Sequence, residues 1–328
     1  MYLETGRPMR GAARARLRAF LRDCGLDYDE GVSFSAALME GDRIVATASL
    51  DGQTIKCVAV APEHRGEDLC ARLLTELRRE AFDRGVNHLL LFTKPENASL
   101  FRELGFHRVA QCGDCLLMED RANGLERYLQ SLSGPKTCAG GAGAIVANAS
   151  PFTRGHRYLV ERAAEQCDAL HLFILSEARG PFPPEARLKL AREACADLKN
   201  VYVHPTGPYM VSSATFPDYF IRDKARVDAI RCDLDVRLFG EHIAPALDIR
   251  YRFVGTEPLC PVTNAYNARL KAQLPAWGVQ LIELERLEIG GSVVSASRVR
   301  ALLDAGQLTQ LQPLVPECTY QYLSTLKR

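Results

Sequence analysis

The stretch NASPFTRGHRY, from Asn148 to Tyr158, decides how this chain is read, because it has the form of a turn between a buried strand and a helix. Ahead of it, Ala144, Ile145, Val146 and Ala147 make the short apolar run of a strand covered on both faces. Behind it, Leu159 with Ala163 and Val160 with Ala164 repeat at the i, i+4 spacing of a helix. Gly155 and His156 therefore open that helix. A helix start presents free backbone N–H groups and the positive end of the dipole; a glycine lets phosphate approach the backbone, and an imidazole donates to a phosphoryl oxygen. The turn is read as a site for a nucleotide's phosphates. Read for structure alone, it is a core strand followed by a helix with an exposed histidine.

Outward from this turn, strand and helix alternate. Leu170–Leu175 reads as a strand, Pro184–Ala196 as a helix, Val201–His204 as a strand and Phe216–Ile230 as a helix. Val236–Phe239 and Val279–Leu284 read as further strands before a final helical region. Such alternation predicts a doubly wound parallel sheet, whose ligands bind at the carboxyl ends of its strands, where the 148–158 turn lies.

The first half has its own pattern. Ile55–Ala61 and Leu89–Phe92 read as strands, Leu69, Leu73, Leu77 and Ala81 mark one helix face, and Ala98–Leu104 is a short helix. This is a mixed α/β unit. Apolar periodicity weakens after Asp120, and the turn formers of SGPKTCAGGAG place a domain boundary near residue 135, giving domains 1–135 and 136–328. Within that linker, Gly134, Pro135, Lys136 and Thr137 lack the glycine that a P-loop needs directly before its lysine.

Composition bounds the class. The chain has 328 residues, 47% of them hydrophobic, so it buries sizeable cores in two or three domains. With 41 basic and 40 acidic residues there is no global field for nucleic acid or anionic lipid, and a small polyanionic ligand is favoured over DNA. No apolar run approaches the roughly 18–20 residues that span a bilayer, and the N-terminus lacks a signal peptide's apolar centre. The chain therefore reads as cytoplasmic, with no membrane partner. Its 11 cysteines are scattered through helical and strand-like segments, the usage of a reduced protein. Cys112 and Cys115 in CGDC have metal-ligand spacing, but no second pair accompanies them and no metal site is expected.

A second constellation lies late in the chain. Val294–Arg300, VSASRVR, follows Gly290 and Gly291 and precedes Leu302 and Leu303, so it opens a helix with hydroxyls in the first turn. Ser295 or Ser297 caps that helix, which accounts for either serine structurally. The functional reading adds Arg300, one turn on, as a guanidinium facing phosphate oxygens.

SPFTRGHRYL together with VSASRVR resembles the nucleotidyltransferase superfamily, whose members carry a Thr-or-His, x, Gly, His motif at the first strand-helix turn and an ISxTxxR-like element late in the fold. Thr153, Gly155 and His156 take the first motif's positions. LFTKPENASLF (91–101), SSATFPDYFIRDKA (212–225) and FVGTEPLCPVTNAYN (253–267) are similar to the citrate lyase ligase family. The resemblance covers about residues 45–325. It implies a GNAT acetyltransferase-like domain followed by a Rossmann-like, adenylate-forming nucleotidyltransferase domain, with Val58–Leu74 on the CoA-binding strand, loop and helix of the former.

The resemblance further implies ATP-dependent acetylation of the prosthetic-group thiol on the citrate lyase acyl-carrier subunit. Acetate, ATP and Mg²⁺ are the implied small partners, with acetyl-adenylate as intermediate. His156 would meet the α-phosphoryl oxygens, Thr153 a supporting phosphate oxygen, and Gly155 would permit close approach. Phe152 and Lys224 fall among nucleotide-contacting positions; Ser295, Ser297 and Arg300 would hold the outgoing phosphates. Two departures stand out. Ser150 replaces the asparagine of the family's usual NPF, and the GNAT pyrophosphate loop has lost its small residues, with Asp68 and Cys70 after Arg65. A carboxylate at Asp68 opposes a pyrophosphate by like charge. Two alternatives share these residues: a nucleotidyltransferase acting on a phosphorylated cofactor precursor with a regulatory acyl-CoA-binding domain, and a protein acetyltransferase. Asp68 counts against the second.

Overall fold

The structure, a computed structural model, describes residues 1–137, 139–178, 180–211, 216–257 and 261–326. The chain forms two compact units, one of Met1–Arg127 with Thr215–Leu234, the other of Tyr128–Ala214 with Asp235–Arg328.

The first unit is built on a mostly antiparallel sheet. Its elements are β1 (Tyr2–Gly6), α1 (Gly11–Asp23), β2 (Phe34–Glu40), β3 (Arg43–Asp51), β4 (Thr54–Val60), α2 (Leu69–Asp83), β5 (Leu90–Thr93), α3 (Ala98–Glu103), β6 (His107–Cys112) and β7 (Cys115–Glu119). Strand order is β1-β2-β3-β4-β5-β7-β6. Leu69, Leu73, Leu74, Leu77 and Ala81 of α2 pack into the core with Phe34, Ala36, Leu38 and Leu50 of β2 and β3. Each leucine so buried contributes about 1.5–3 kcal/mol. Cys112 and Cys115 face each other across the β6–β7 hairpin, whose two-residue turn carries Gly113 at φ 50°. The CGDC spacing is hairpin geometry, since such a turn needs positive φ. The described cysteines are all free thiols.

The second unit is a five-stranded sheet in which every pair is parallel. After α4 (Gly124–Ser131), within which the units divide, come β8 (Ala142–Ala147), α5 (Arg154–Ala164), β9 (Ala169–Ile174), α6 (Pro184–Ala194) and β10 (Val201–Pro205). α7 (Val227–Leu238), which the first unit holds as far as Leu234, continues through a π turn at Phe239–Ile243 into the short α8 (Ala244–Ala246). Then follow β11 (Ile249–Gly255), α9 (Pro261–Gln273), β12 (Gln280–Leu284), the small hairpin of β13 (Glu288–Ile289) and β14 (Ser292–Val293), α10 (Ala296–Asp304) and α11 (Glu317–Thr325). The order β10-β9-β8-β11-β12 starts at β8 in the centre and runs outward in both directions. The carboxyl end of β8 is therefore the point where strand order reverses, the place where such sheets hold ligands. One face of the sheet packs on Val160 and Ala163 of α5 and Leu190 and Ala191 of α6. The other packs on Val236, Phe239 and Ile243 with Leu270 of α9.

Two expectations change. The helix expected over Phe216–Ile230 begins only at Lys224, with a 3-10 turn capped by Asp223, whose carboxylate accepts from Ala225 N at 3.1 Å. Phe216, Tyr219, Phe220 and Ile221 before it are buried in an irregular segment whose spacing imitates a helix face. Asp27 N donates to Tyr219 O at 3.0 Å, and Phe216 meets Phe92 edge-on, so this segment joins the first unit. Residues 212–215 of the 212–225 motif and 258–260 of the 253–267 motif lie outside the described residues. The strand expected at Val236–Phe239 is the end of α7 and the π turn, a helical stretch buried nearly all round. A continuous apolar run does not by itself distinguish the two. The strand in this region is instead β11, IRYRFVG, whose pattern is broken by Arg252, a buried cation over the Phe239 ring at 4.6 Å. The compact units divide at 127/128, where Tyr128 and Leu129 of α4, and Leu132 just after it, pack into the second unit's core. Lys136 donates to Leu132 O at 2.8 Å, a cation at the end of α4 rather than part of a phosphate loop.

Candidate active site

The turn from β8 into α5 is held by its own side chains. Thr153 is the N-cap of α5: its Oγ1 accepts from His156 N at 3.3 Å, and His156 Nδ1 accepts from Thr153 N at 3.0 Å. This is a capping box in which histidine stands where glutamate is usual. The backbone N–H can only donate, so Nδ1 carries the lone pair and the proton resides on Nε2. Phe152, fully buried, stacks on the imidazole at 5.4 Å and fixes its plane. Burial, with a smaller contribution from Arg286, pushes the His156 pKa down to about 4. At neutral pH the group is an uncharged ring offering an Nε2–H donor.

Thr153 is 1% exposed, and its hydroxyl also lies 2.8 Å from His156 Nδ1, so it is spent on the cap and the ring rather than turned outward. Gly155 has two uses. Its N–H has no partner among the described residues, whereas Arg154 N donates to Leu314 O. A Cβ added at Gly155 would sit 2.5 Å from Val294 O, so the missing side chain lets the loop before α10 approach the start of α5.

That approach joins the two sequence motifs. Ser295 is the N-cap of α10, with Oγ accepting from Arg298 N at 3.2 Å. Ser297 is exposed, and its Oγ accepts from Arg300 Nη2 at 3.0 Å. Arg300 Nη1 donates to Ser150 O at 2.7 Å. Arg300 thus links the serine helix start to the β8 turn, using two of its five N–H groups. Two helix N-termini, a neutral imidazole donor and a guanidinium belong to one crevice at the carboxyl end of β8. Its chemistry suits an extended polyanion.

Lys224 belongs to the first unit, with Nζ 2.8 Å from Asp27 Oδ2 and 2.8 Å from Asp218 O. Tyr266 donates to Asp235 Oδ2 at 2.5 Å and Asn267 Nδ2 donates to Gly255 O at 3.3 Å, so both side chains tie α9 into the fold. Arg286, paired with Glu257 at 3.1 Å, and the buried Arg187 on α6 were not singled out from sequence. The only mark of Arg187 is its place three and four residues before Leu190 and Ala191, on the apolar side of its helix. Among the described residues no three His, Cys, Asp or Glu side chains gather as a metal-binding group. No described helix is long and apolar enough to cross a membrane.

In the first unit, β4 and β5 pair only through Thr54–Leu90 and Ile55–Leu91. Past these rungs lies a cavity of about 540 Å³, walled by Val58, Val60, Phe92 and Phe101, with Tyr219 and Arg65 at its lining. Asp68 is the N-cap residue of α2 but makes no side-chain cap bond.

A family model for the citrate lyase ligase C-terminal domain matches residues 142–323. The chain is 42% identical over 318 residues to the citrate (pro-3S)-lyase ligase of Klebsiella pneumoniae, covering 95% of this chain and 93% of that protein. The chain belongs to the citrate lyase ligase family. The corresponding ligase of Escherichia coli strain K12 is 40% identical, over 95% of this chain and 90% of its own. A GNAT acetyltransferase family model matches residues 7–106, in keeping with the mixed α/β first unit. A phosphopantetheine adenylyltransferase of Staphylococcus carnosus is 39% identical over 56 residues, 16% of this chain and 35% of that protein. The chain is thus an enzyme of the ligase family, with a GNAT-like unit and a Rossmann-like unit.

Proposed function

We propose that the second unit activates acetate with ATP and that the acetyl group passes to the prosthetic-group thiol of the citrate lyase acyl-carrier subunit. What supports this reading above all is the convergence of His156, Gly155 and Arg300 at the carboxyl end of β8 in a member of this family. A carboxylate oxygen of acetate attacks the α-phosphorus of ATP. The bond from that phosphorus to the bridging oxygen of the β-phosphate breaks, and pyrophosphate leaves. The thiol sulfur, its proton lost to solvent, then attacks the acetyl carbon, and AMP departs with the former carboxylate oxygen.

In this scheme His156 donates Nε2–H to an α-phosphoryl oxygen as charge builds there. Because the ring is neutral, donation does not depend on a protonated histidine. Phe152 and Thr153 hold the ring in plane and in the correct tautomer. The Gly155 N–H and the N-terminus of α5 add fixed dipoles. Arg300, with the Ser297 hydroxyl and the start of α10, neutralises the departing pyrophosphate. A Mg²⁺ ion would supply further charge neutralisation between phosphates, held mainly by nucleotide oxygens and water. Free thiols throughout the described chain suit a cytoplasmic setting.

The test is the product balance. Each acetylated carrier should appear with one AMP and one pyrophosphate; ADP and phosphate in their place would overturn the scheme. The local likeness to a phosphopantetheine adenylyltransferase favours one rival, adenylation of a phosphorylated cofactor precursor. Turnover of such a precursor without acetate would establish it. We further propose that the first unit's cavity receives the carrier's pantetheine-bearing arm. Ala59→Trp, which fills that cavity, should lower transfer to the carrier more than it lowers acetate activation; equal effects would remove this role.

A further inference from the structure

Arg187 and Asn148 form an arrangement that the reading above leaves unused. Arg187 is fully buried (0% exposed), so its cation has given up its water. Such desolvation is unfavourable unless hydrogen bonds replace hydration. Here the replacements come from the carboxyl ends of β8 and β9. Nη1 donates to Asn148 O at 3.0 Å and also to Asn148 Oδ1, while Nη2 donates to Glu177 O. A guanidinium has no acceptor, so the amide atom of Asn148 facing it is the oxygen. The NH₂ group therefore faces the other way. Asn148 is exposed, and its Nδ2 has no partner among the described residues. Two residues on, Ser150 O is held by Arg300, so the end of β8 is pinned by one guanidinium on each side.

We propose that Asn148 is a substrate-contacting residue whose Nδ2 donates to an anionic phosphoryl oxygen, with Arg187 as the positioning residue that fixes the direction of the amide. The helix N-terminus, His156 and Arg300 already favour negative charge at this turn, and Asn148 adds a neutral donor whose direction is set from below. It also supplies an amide where Ser150 has lost one. The proposal rests on the ATP-dependent reading of the site.

Asn148→Asp separates this role from a structural one. The new carboxylate keeps an oxygen toward Arg187 and strengthens that contact, so folding is preserved and the melting temperature is unchanged or higher. Its second oxygen replaces the NH₂ and opposes the phosphates. The expected result is an ATP dissociation constant raised about 10-fold or more and a kcat lowered about 10²-fold, typical for a lost transition-state donor. Asn148→Ala, which removes the donor without adding charge, should weaken ATP binding less than Asn148→Asp does. If Asn148 only supports Arg187, Asn148→Asp binds ATP and turns over like the unaltered protein, and the proposal fails. Equilibrium binding of ATP is measured without acetate or carrier, so it stands apart from the acyl chemistry: an unaltered protein that binds ATP but forms no acetyl-adenylate sinks the reading, whereas normal ATP binding by both folded variants sinks the role of Asn148.

Discussion

On the proposed reading His156 carries two separable functions, one on each ring nitrogen, and substitution can part them. Nδ1 accepts from Thr153 N, and Thr153 is buried, so His156→Ala strands a buried N–H. Such a loss costs about 1–3 kcal/mol, and each kcal/mol lowers the melting temperature by about 2–4 °C in a unit of this size. In the proposed scheme Nε2–H donates to the α-phosphoryl group, and its loss should cost about 10²-fold in rate, or about 2.7 kcal/mol of barrier. His156→Asn places an amide oxygen near the position of Nδ1 but has nothing at Nε2. It should melt within about 2 °C of the unaltered protein and yet lose about 10²-fold in acetate activation. His156→Ala should lose both. Calorimetry reads the first quantity and pyrophosphate exchange the second. An Asn variant that exchanges at the unaltered rate would show that the imidazole is only a cap.

Three further outcomes follow from the same geometry. Arg300→Lys should raise the KM for ATP and lower turnover, because an ammonium cannot span Ser150 O and Ser297 Oγ while also meeting phosphate; unaltered steady-state kinetics would make the arginine a surface residue. Gly155→Ala drives a Cβ to 2.5 Å from Val294 O and should destabilise the protein by about 1–3 kcal/mol, with a melting temperature at or above the original as the contrary result. His156, His171 and His204 all have pKa values held well below 6.5, chiefly by burial, so unfolding takes up protons in acid. Stability attached to these groups is full above about pH 6.5 and is lost as pH falls toward about 4. Urea unfolding at several pH values should show uptake of at least about two protons near pH 5, and a flat profile between pH 6.5 and 4.5 would contradict the burial argument.

The turn from β8 into α5 was legible because its signals are local: an apolar strand, a Thr-x-Gly-His cap and an i, i+4 helix face occupy adjacent residues. The serine-arginine element was legible for the same reason. What joined them was not, since the contact of Gly155 with Val294 O and the reach of Arg300 to Ser150 O connect residues about 150 positions apart. Arg187 and Arg252 were hidden because a buried cation breaks the apolar pattern that marks a buried element. The segment around Tyr219 misled in the opposite sense, its aromatic side chains buried without the helix that their spacing suggested.

In the proposed scheme this protein makes an acyl-adenylate by itself, before any carrier is present. Exchange of labelled pyrophosphate into ATP by the purified protein, with acetate and Mg²⁺ and no carrier, tests it directly. Exchange should require acetate and collapse in His156→Asn. Exchange that proceeds without acetate, or its absence from protein that still acetylates carrier, would contradict it.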